Sequence, residues 1–219
     1  TENNLLQDVE AIDSIPQKQN KGLEPKFDDL ISEGEVVLEE KIIESNIAYT
    51  FSNPFSSDIS SVMQIVDGTN VTVAVIDTGI DSEHPFLNGK MIDGYDFYND
   101  TDLIYDEQSC MDNLHGTHVA GIIAQTAQNA KIMPLKCFQD GKAYTSDLID
   151  AIYYALDHNV DIVNCSWGSG EYNEALREVM EDSGLFFVCA AGNNRMDIAQ
   201  SPVYPACYEL QNNISVTSL

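Results

Sequence analysis

Basic residues are scarce in this chain. Ten Lys and Arg stand against 36 Asp and Glu, a formal net charge of -26 over 219 residues. That deficit excludes nucleic acid as a natural partner and disfavours anionic membrane surfaces. It favours solubility and leaves two readings open, attraction of cations or basic peptides and a plain solvated surface. Long apolar runs are missing too: none approaches the roughly 18 residues of a bilayer-spanning helix, so no membrane insertion is expected. The chain begins at Thr1 rather than Met, so the lack of a signal-type N-terminus carries no weight. Cysteine is sparse and odd in number, five in all, so the five cannot all pair within the chain. No Cys-x-x-Cys pattern suggests zinc. Cys137, Cys165 and Cys189 sit inside apolar runs and read as buried small hydrophobes, whereas Cys110 and Cys207 lie in loop-like sequence. Internal repeats and low-complexity tracts are absent.

What is present suits a folded domain with an extension. Hydrophobic residues make up 43% of the chain, enough for a globular core. Residues 1–60 are polar, acidic and weakly periodic; they read as an N-terminal extension or propeptide remnant with room for a short helix and a strand. Residues 61–219 read as the domain proper. ISSVMQIV predicts a short helix closed by Asp67-Gly68 turn chemistry. From Val71 onward, short β-branched runs alternate with helical spacing. VTVAVID, KIMPLKCF, VDIVNCSWG, LFFVCAAGN and NNISVTSL predict strands. HGTHVAGIIAQTA, SDLIDAIYYALDHN and NEALREVMEDSG predict helices, the first opened by His115 and the last stopped by Gly184. Alternation of this kind gives an α/β fold, three layers deep, with a mostly parallel central sheet between helices.

Three positions stand where such a fold does chemistry. Asp77 ends a predicted buried strand, with Gly79 permitting a tight turn, and ligands gather at the carboxyl ends of parallel strands. Alone, it reads equally as a turn cap. Asp-Thr-Gly also occurs in aspartic proteases, which need a second carboxylate; no second copy occurs here. His115 lies at a helix N-terminus and His118 one turn along it. That spacing permits a zinc pair, but no third ligand follows, and His118 reads as a packed core histidine. Asn193 follows a buried strand through a small-residue turn, from which its amide can donate to an oxyanion or merely shape the turn.

Taken in order and spacing, VAVIDTGID, HGTHVAGI, VNCSWG and AAGN resemble the subtilases, the subtilisin-like serine proteases of peptidase type S8. The resemblance runs from about Val71 to the C-terminus, and HGTHVAG is its most specific part. It implies a serine endopeptidase acting on polypeptide substrates through an Asp-His-Ser triad. Asp77 would orient His115, His115 would act as the base, and Asn193 would donate to the tetrahedral oxyanion. Ser166, Trp167 and Gly168 match the segment that pairs with substrate backbone; Gly141 and Tyr144 match the opposite rim.

The departures matter as much. The Gly-Thr-Ser-Met-Ala segment that carries the nucleophile does not occur, so the peptidase fold is expected to be truncated at its C-terminal end, and these 219 residues alone are expected to be inactive. Two alternatives follow: a catalytically inactive peptide-binding module, and an enzyme completed by a complementary C-terminal chain. No cofactor is expected. Phe86 replaces an Asp that ligates calcium in many members, and the stretch after the His helix is too short for the usual loop, so that calcium site is expected to be absent. A weaker site around Asp93, Asp96, Asp100, Asp102, Asp106 and Asp112 stands against a plain solvated acidic loop. The resemblance implies an extracellular or cell-envelope location, whereas free cysteines and acidity fit the cytoplasm.

Overall fold

β-Branched runs flanked by Gly and Asn become strands here, and stripes of small or apolar residues become the helices that cover them. The computed structural model describes residues 66–105 and 110–217, together with the backbone of Glu35–Val37. The expected helix at ISSVMQIV and nearly all of the 1–60 extension lie outside these residues. The strand expected within the extension is represented by Glu35–Val37, β1.

Six strands form one sheet. In chain order they are β2 (Thr72–Asp77), β3 (Tyr95–Asp96), β4 (Lys131–Lys136), β6 (Ile162–Cys165), β7 (Phe186–Ala190) and β8 (Asn213–Val216). Their spatial order is β3-β4-β2-β6-β7-β8, and every neighbouring pair is parallel. The remaining strand, β5 (Lys142–Tyr144), pairs antiparallel with β1, placing Glu35 opposite Tyr144. The helices are α1 (Cys110–Thr126), α2 (Thr145–Asp157) and α3 (Glu174–Ser183). The three-layer α/β expectation holds.

Each face of the sheet has its own core. On one, Ala74, Ile76, Met133, Leu135, Val163 and Phe187 meet Leu148, Ile152, Leu176 and Met180 of α2 and α3. Cys137, Cys165 and Cys189 lie in this core, as their apolar flanks predicted. Burial, then the neighbouring Cys189, pushes the Cys165 thiol up, so it stays protonated and inert. On the other face, Val75 and Ile132 meet Ala120 and Ala124 of α1.

Helix ends follow local chemistry. The Asn173 side chain accepts a hydrogen bond from the Leu176 amide at 2.9 Å and opens α3. Gly184, at φ 68°, closes it as expected. α1 differs from expectation. It begins at Cys110, so His115 lies in its second turn rather than opening it. Nothing in Cys110–Leu114 breaks a helix, since neither Gly nor Pro occurs there.

Candidate active site

Asp77 is the last residue of β2, at the carboxyl edge of the sheet next to its centre. It is fully buried, and a buried carboxylate has to be met by donors. The Thr78 amide donates to its Oδ1 at 2.7 Å. The Nδ1 of His115 reaches Oδ1 at 2.7 Å and Oδ2 at 2.9 Å. A carboxylate can only accept, so Nδ1 carries a proton, and in the neutral ring the basic nitrogen is then Nε2.

Close packing makes this pairing feasible. α1 turns Gly116, Ala120 and Ala124, a stripe of small residues four apart, toward β2 and its loop. A Cβ at Gly116 would sit 2.2 Å from the Gly79 carbonyl oxygen and 3.1 Å from Asp77 Oδ1. Only glycine lets the helix come this near. The same stripe corrects the expectation for His118. Two residues past Gly116, it is rotated about 200° from the packed stripe, and it is exposed rather than a core histidine.

His118 instead lines the cleft. A cavity of about 240 Å³ is bounded by His115, His118, Ser166, Gly168, Gly192 and Asn193, among others. Four of the residues chosen from sequence, His115, Asn193, Ser166 and Gly168, therefore meet at one hollow. Trp167 contributes to the same wall, but its indole is buried and donates to the Ile76 carbonyl at 3.0 Å. Its side chain belongs to the core, so a substrate would meet its backbone. Gly168 is constrained as well, since a Cβ there would come within 2.4 Å of Val203. Gly141 and Tyr144 are not among the residues lining this cavity. Gly141, at φ 75°, sits in the tight turn leading into β5; Tyr144 ends β5, is exposed, and stacks on Tyr98 at 6.1 Å between ring centroids.

Sequence reasoning missed several residues. Thr78 accepts a hydrogen bond from the Gly116 amide at 3.1 Å, and Thr117 accepts one from the Asp81 amide at 2.9 Å. The only signal in the sequence was their place inside the two motifs. A second hollow, of about 530 Å³, adjoins Asn193 and includes Arg195, Met196, Pro202 and Thr217 in its lining. Lys136, buried beside Asp77 in the β2–β4 register, donates to Asp96 at 2.7 Å.

Metal chemistry finds little footing. Among the described residues no group of three or more His, Cys, Asp or Glu side chains could hold a metal ion. Of the acidic-loop residues, Asp96 is buried against Lys136 and Asn99, and Asp100 accepts from the Tyr95 hydroxyl at 2.8 Å. The side chains of Asp106 and Asp112 lie outside the described residues. Phe86 is 68% exposed and offers no oxygen, so this position does not fit the calcium site implied for many subtilases.

The fold and site define an α/β protein whose parallel sheet carries, at its carboxyl edge, a strand-end Asp bonded to a helix-borne His. Comparison with known proteins narrows the class. The subtilase family model, Peptidase S8, matches residues 68–219, and the chain belongs to that family. Fervidolysin of Fervidobacterium pennivorans is 38% identical over 160 residues, covering 64% of this chain and 23% of the relative. Subtilisin E of Bacillus subtilis (strain 168) is 34% identical over 185 residues, covering 75% of this chain and 47% of the relative. Among solved structures, a cold-adapted subtilisin-like serine proteinase superposes with a TM-score of 0.55 at 34% identity, over 64% of this chain and 52% of that one. The chain thus spans about half or less of the length of these relatives.

Proposed function

We propose that this chain is the Asp- and His-bearing part of a serine endopeptidase that cleaves polypeptides, with the nucleophilic Ser outside these 219 residues. The observation that carries this reading is the double contact of His115 Nδ1 with the buried Asp77 carboxylate. Asp77 holds the imidazole in the tautomer with a basic Nε2 and stabilises the imidazolium once it forms. His115 takes the proton of a seryl hydroxyl entering the 240 Å³ hollow and later returns it to the leaving amine. Asn193, across that hollow, donates to the oxyanion that develops on the scissile carbonyl.

An extended substrate would pair with the backbone of Ser166–Gly168 on one side and with the β5 rim, including Gly141 and Tyr144, on the other. The antiparallel pairing of Glu35–Val37 with Lys142–Tyr144 supports this rim as a place where an extended strand adds. It equally favours a second reading, a peptide-binding module on the same fold without a nucleophile. A third, an enzyme completed by a complementary C-terminal polypeptide, differs from the first only in where the Ser is encoded.

Hydrolysis of a mixed fluorogenic peptide library separates these readings. The intact protein should cleave, and His115→Ala should abolish cleavage at unchanged thermal stability. Residues 1–219 alone should release nothing above buffer, because His and Asp lack a nucleophile. Turnover by residues 1–219 that disappears in His115→Ala would refute placement of the nucleophile elsewhere. An intact protein that binds peptides without cleaving them would establish the binding module.

No cofactor enters this mechanism, and the exposed Phe86 supports independence from calcium. Excess chelator should leave the melting temperature of the intact protein unchanged. An ion held at 100 times its Kd would contribute roughly 2.7 kcal/mol, enough to move a melt by several degrees. A drop of that size, removed by neutralising Asp93 and Asp102, would put a calcium ion at the acidic loop.

A further inference from the structure

We infer that Thr78 is a positioning residue for the Asp77–His115 pair, tying the strand that carries the carboxylate to the helix that carries the imidazole. Thr78 is only 2% exposed and has two separate contacts. Its amide donates to Asp77 Oδ1 at 2.7 Å, and its hydroxyl oxygen accepts from the Gly116 amide at 3.1 Å. The first contact belongs to the backbone and survives any substitution. The second needs an oxygen on the side chain.

The Gly116 amide is joined directly to the His115 carbonyl carbon, so a shift of one shifts the other. The tie runs both ways: Thr117, the next residue of α1, accepts from the Asp81 amide at 2.9 Å. The loop after β2 thus lends an acceptor to the helix, and the helix lends one back. Between the two ties lies the closest approach, where Gly116 meets the Gly79 carbonyl with no room for a Cβ. Packing at that point sets how near the helix lies. The threonine hydroxyls set how it slides along the strand end, and sliding is what would break the contacts of His115 with Asp77 at 2.7 and 2.9 Å. Hydrogen bonds are directional and steep in distance, whereas contact packing tolerates sliding.

Two substitutions separate hydroxyl from volume. Thr78→Val keeps the shape and removes the acceptor; Thr78→Ser keeps the acceptor and removes a methyl. The readouts are the downfield Nδ1 proton resonance of His115 in the intact protein, labelled with ¹⁵N-histidine, and the kinetics of peptide cleavage. Wild type and Thr78→Ser should show the resonance. Thr78→Val should lose it or exchange it rapidly, even with an equal thermal melt, and kcat should fall about tenfold with KM unchanged, the scale of one buried hydrogen bond.

Retention of the resonance in Thr78→Val with kcat within twofold of wild type would overturn the inference, as would its loss in Thr78→Ser. Should Thr78→Val not fold, Thr78→Ala takes its place with the same opposed outcomes. The kinetic half rests on the endopeptidase reading, whereas the resonance needs no turnover; a protein that cleaves nothing still decides the role of Thr78.

Discussion

Replacing Asp77 by Asn in the intact protein should cut kcat by about 10⁴ while leaving the melting temperature near wild type. The side chains are nearly the same size, so the packing of Gly116 against the loop is undisturbed. What changes is the proton. An amide presents NH₂ as well as oxygen toward Nδ1, and the ring is then held in the tautomer whose Nε2 carries hydrogen and cannot act as a base. The same change in a chymotrypsin-type triad costs about 10⁴, and that scale is carried over here. The Thr78 amide, which donates to Oδ1 at 2.7 Å, selects oxygen for that position and so puts NH₂ at the Oδ2 position, which lies 2.9 Å from Nδ1. Steady-state kinetics with a fluorogenic peptide, alongside thermal melts, checks it. A rate within tenfold of wild type would mean that Asp77 only caps the turn after β2.

Asn193→Ala should be the next largest loss. The residue follows Gly192, whose φ of 90° turns the chain out of β7 toward the cleft. Asn193 lines both the 240 Å³ hollow that holds His115 and the 530 Å³ hollow beside it. A donor between these spaces can meet negative charge as it develops on a substrate carbonyl. Removal of one oxyanion donor in a subtilisin costs about 10²–10³ in kcat, and the same range is expected here. The effect should fall on kcat and spare KM, because the interaction strengthens only in the transition state. An equal rise in KM at unchanged kcat would make Asn193 a ground-state contact.

The strands were the most legible part of the fold. VTVAVID, KIMPLKCF, VDIVNCSWG and LFFVCAAGN are short, apolar and bounded by turn residues, and a buried parallel strand needs nothing more. The meeting of Asp77 and His115 was implied by the resemblance of their two motifs to those of the subtilases, and both residues do meet at the carboxyl edge of the sheet. Where sequence fell short, the missing information was orientation. His118 shares a helix with His115, but spacing alone does not say which face packs; the stripe of Gly116, Ala120 and Ala124 decides it. Trp167 sits in a rim segment whose backbone and side chain point to different partners, and the bond of its indole to Ile76 is a contact 91 residues away in sequence. The start of α1 at Cys110 was hidden because Asp112 and Asn113 are residue types that favour a helix N-cap, which suits a start near His115, yet both lie within the helix. The pairing of β1 with β5 joins residues more than a hundred positions apart, with no turn signal to announce it.

Covalent labelling of the intact protein with diisopropyl fluorophosphate, read by intact mass and peptide mapping, decides whether His115 and Asp77 activate a serine. The reagent marks a serine only where a neighbouring base activates it. One adduct is expected, on a serine outside residues 1–219, lost in His115→Ala and strongly slowed in Asp77→Asn. An intact protein that takes up no label, or whose labelling is indifferent to His115→Ala, would contradict it.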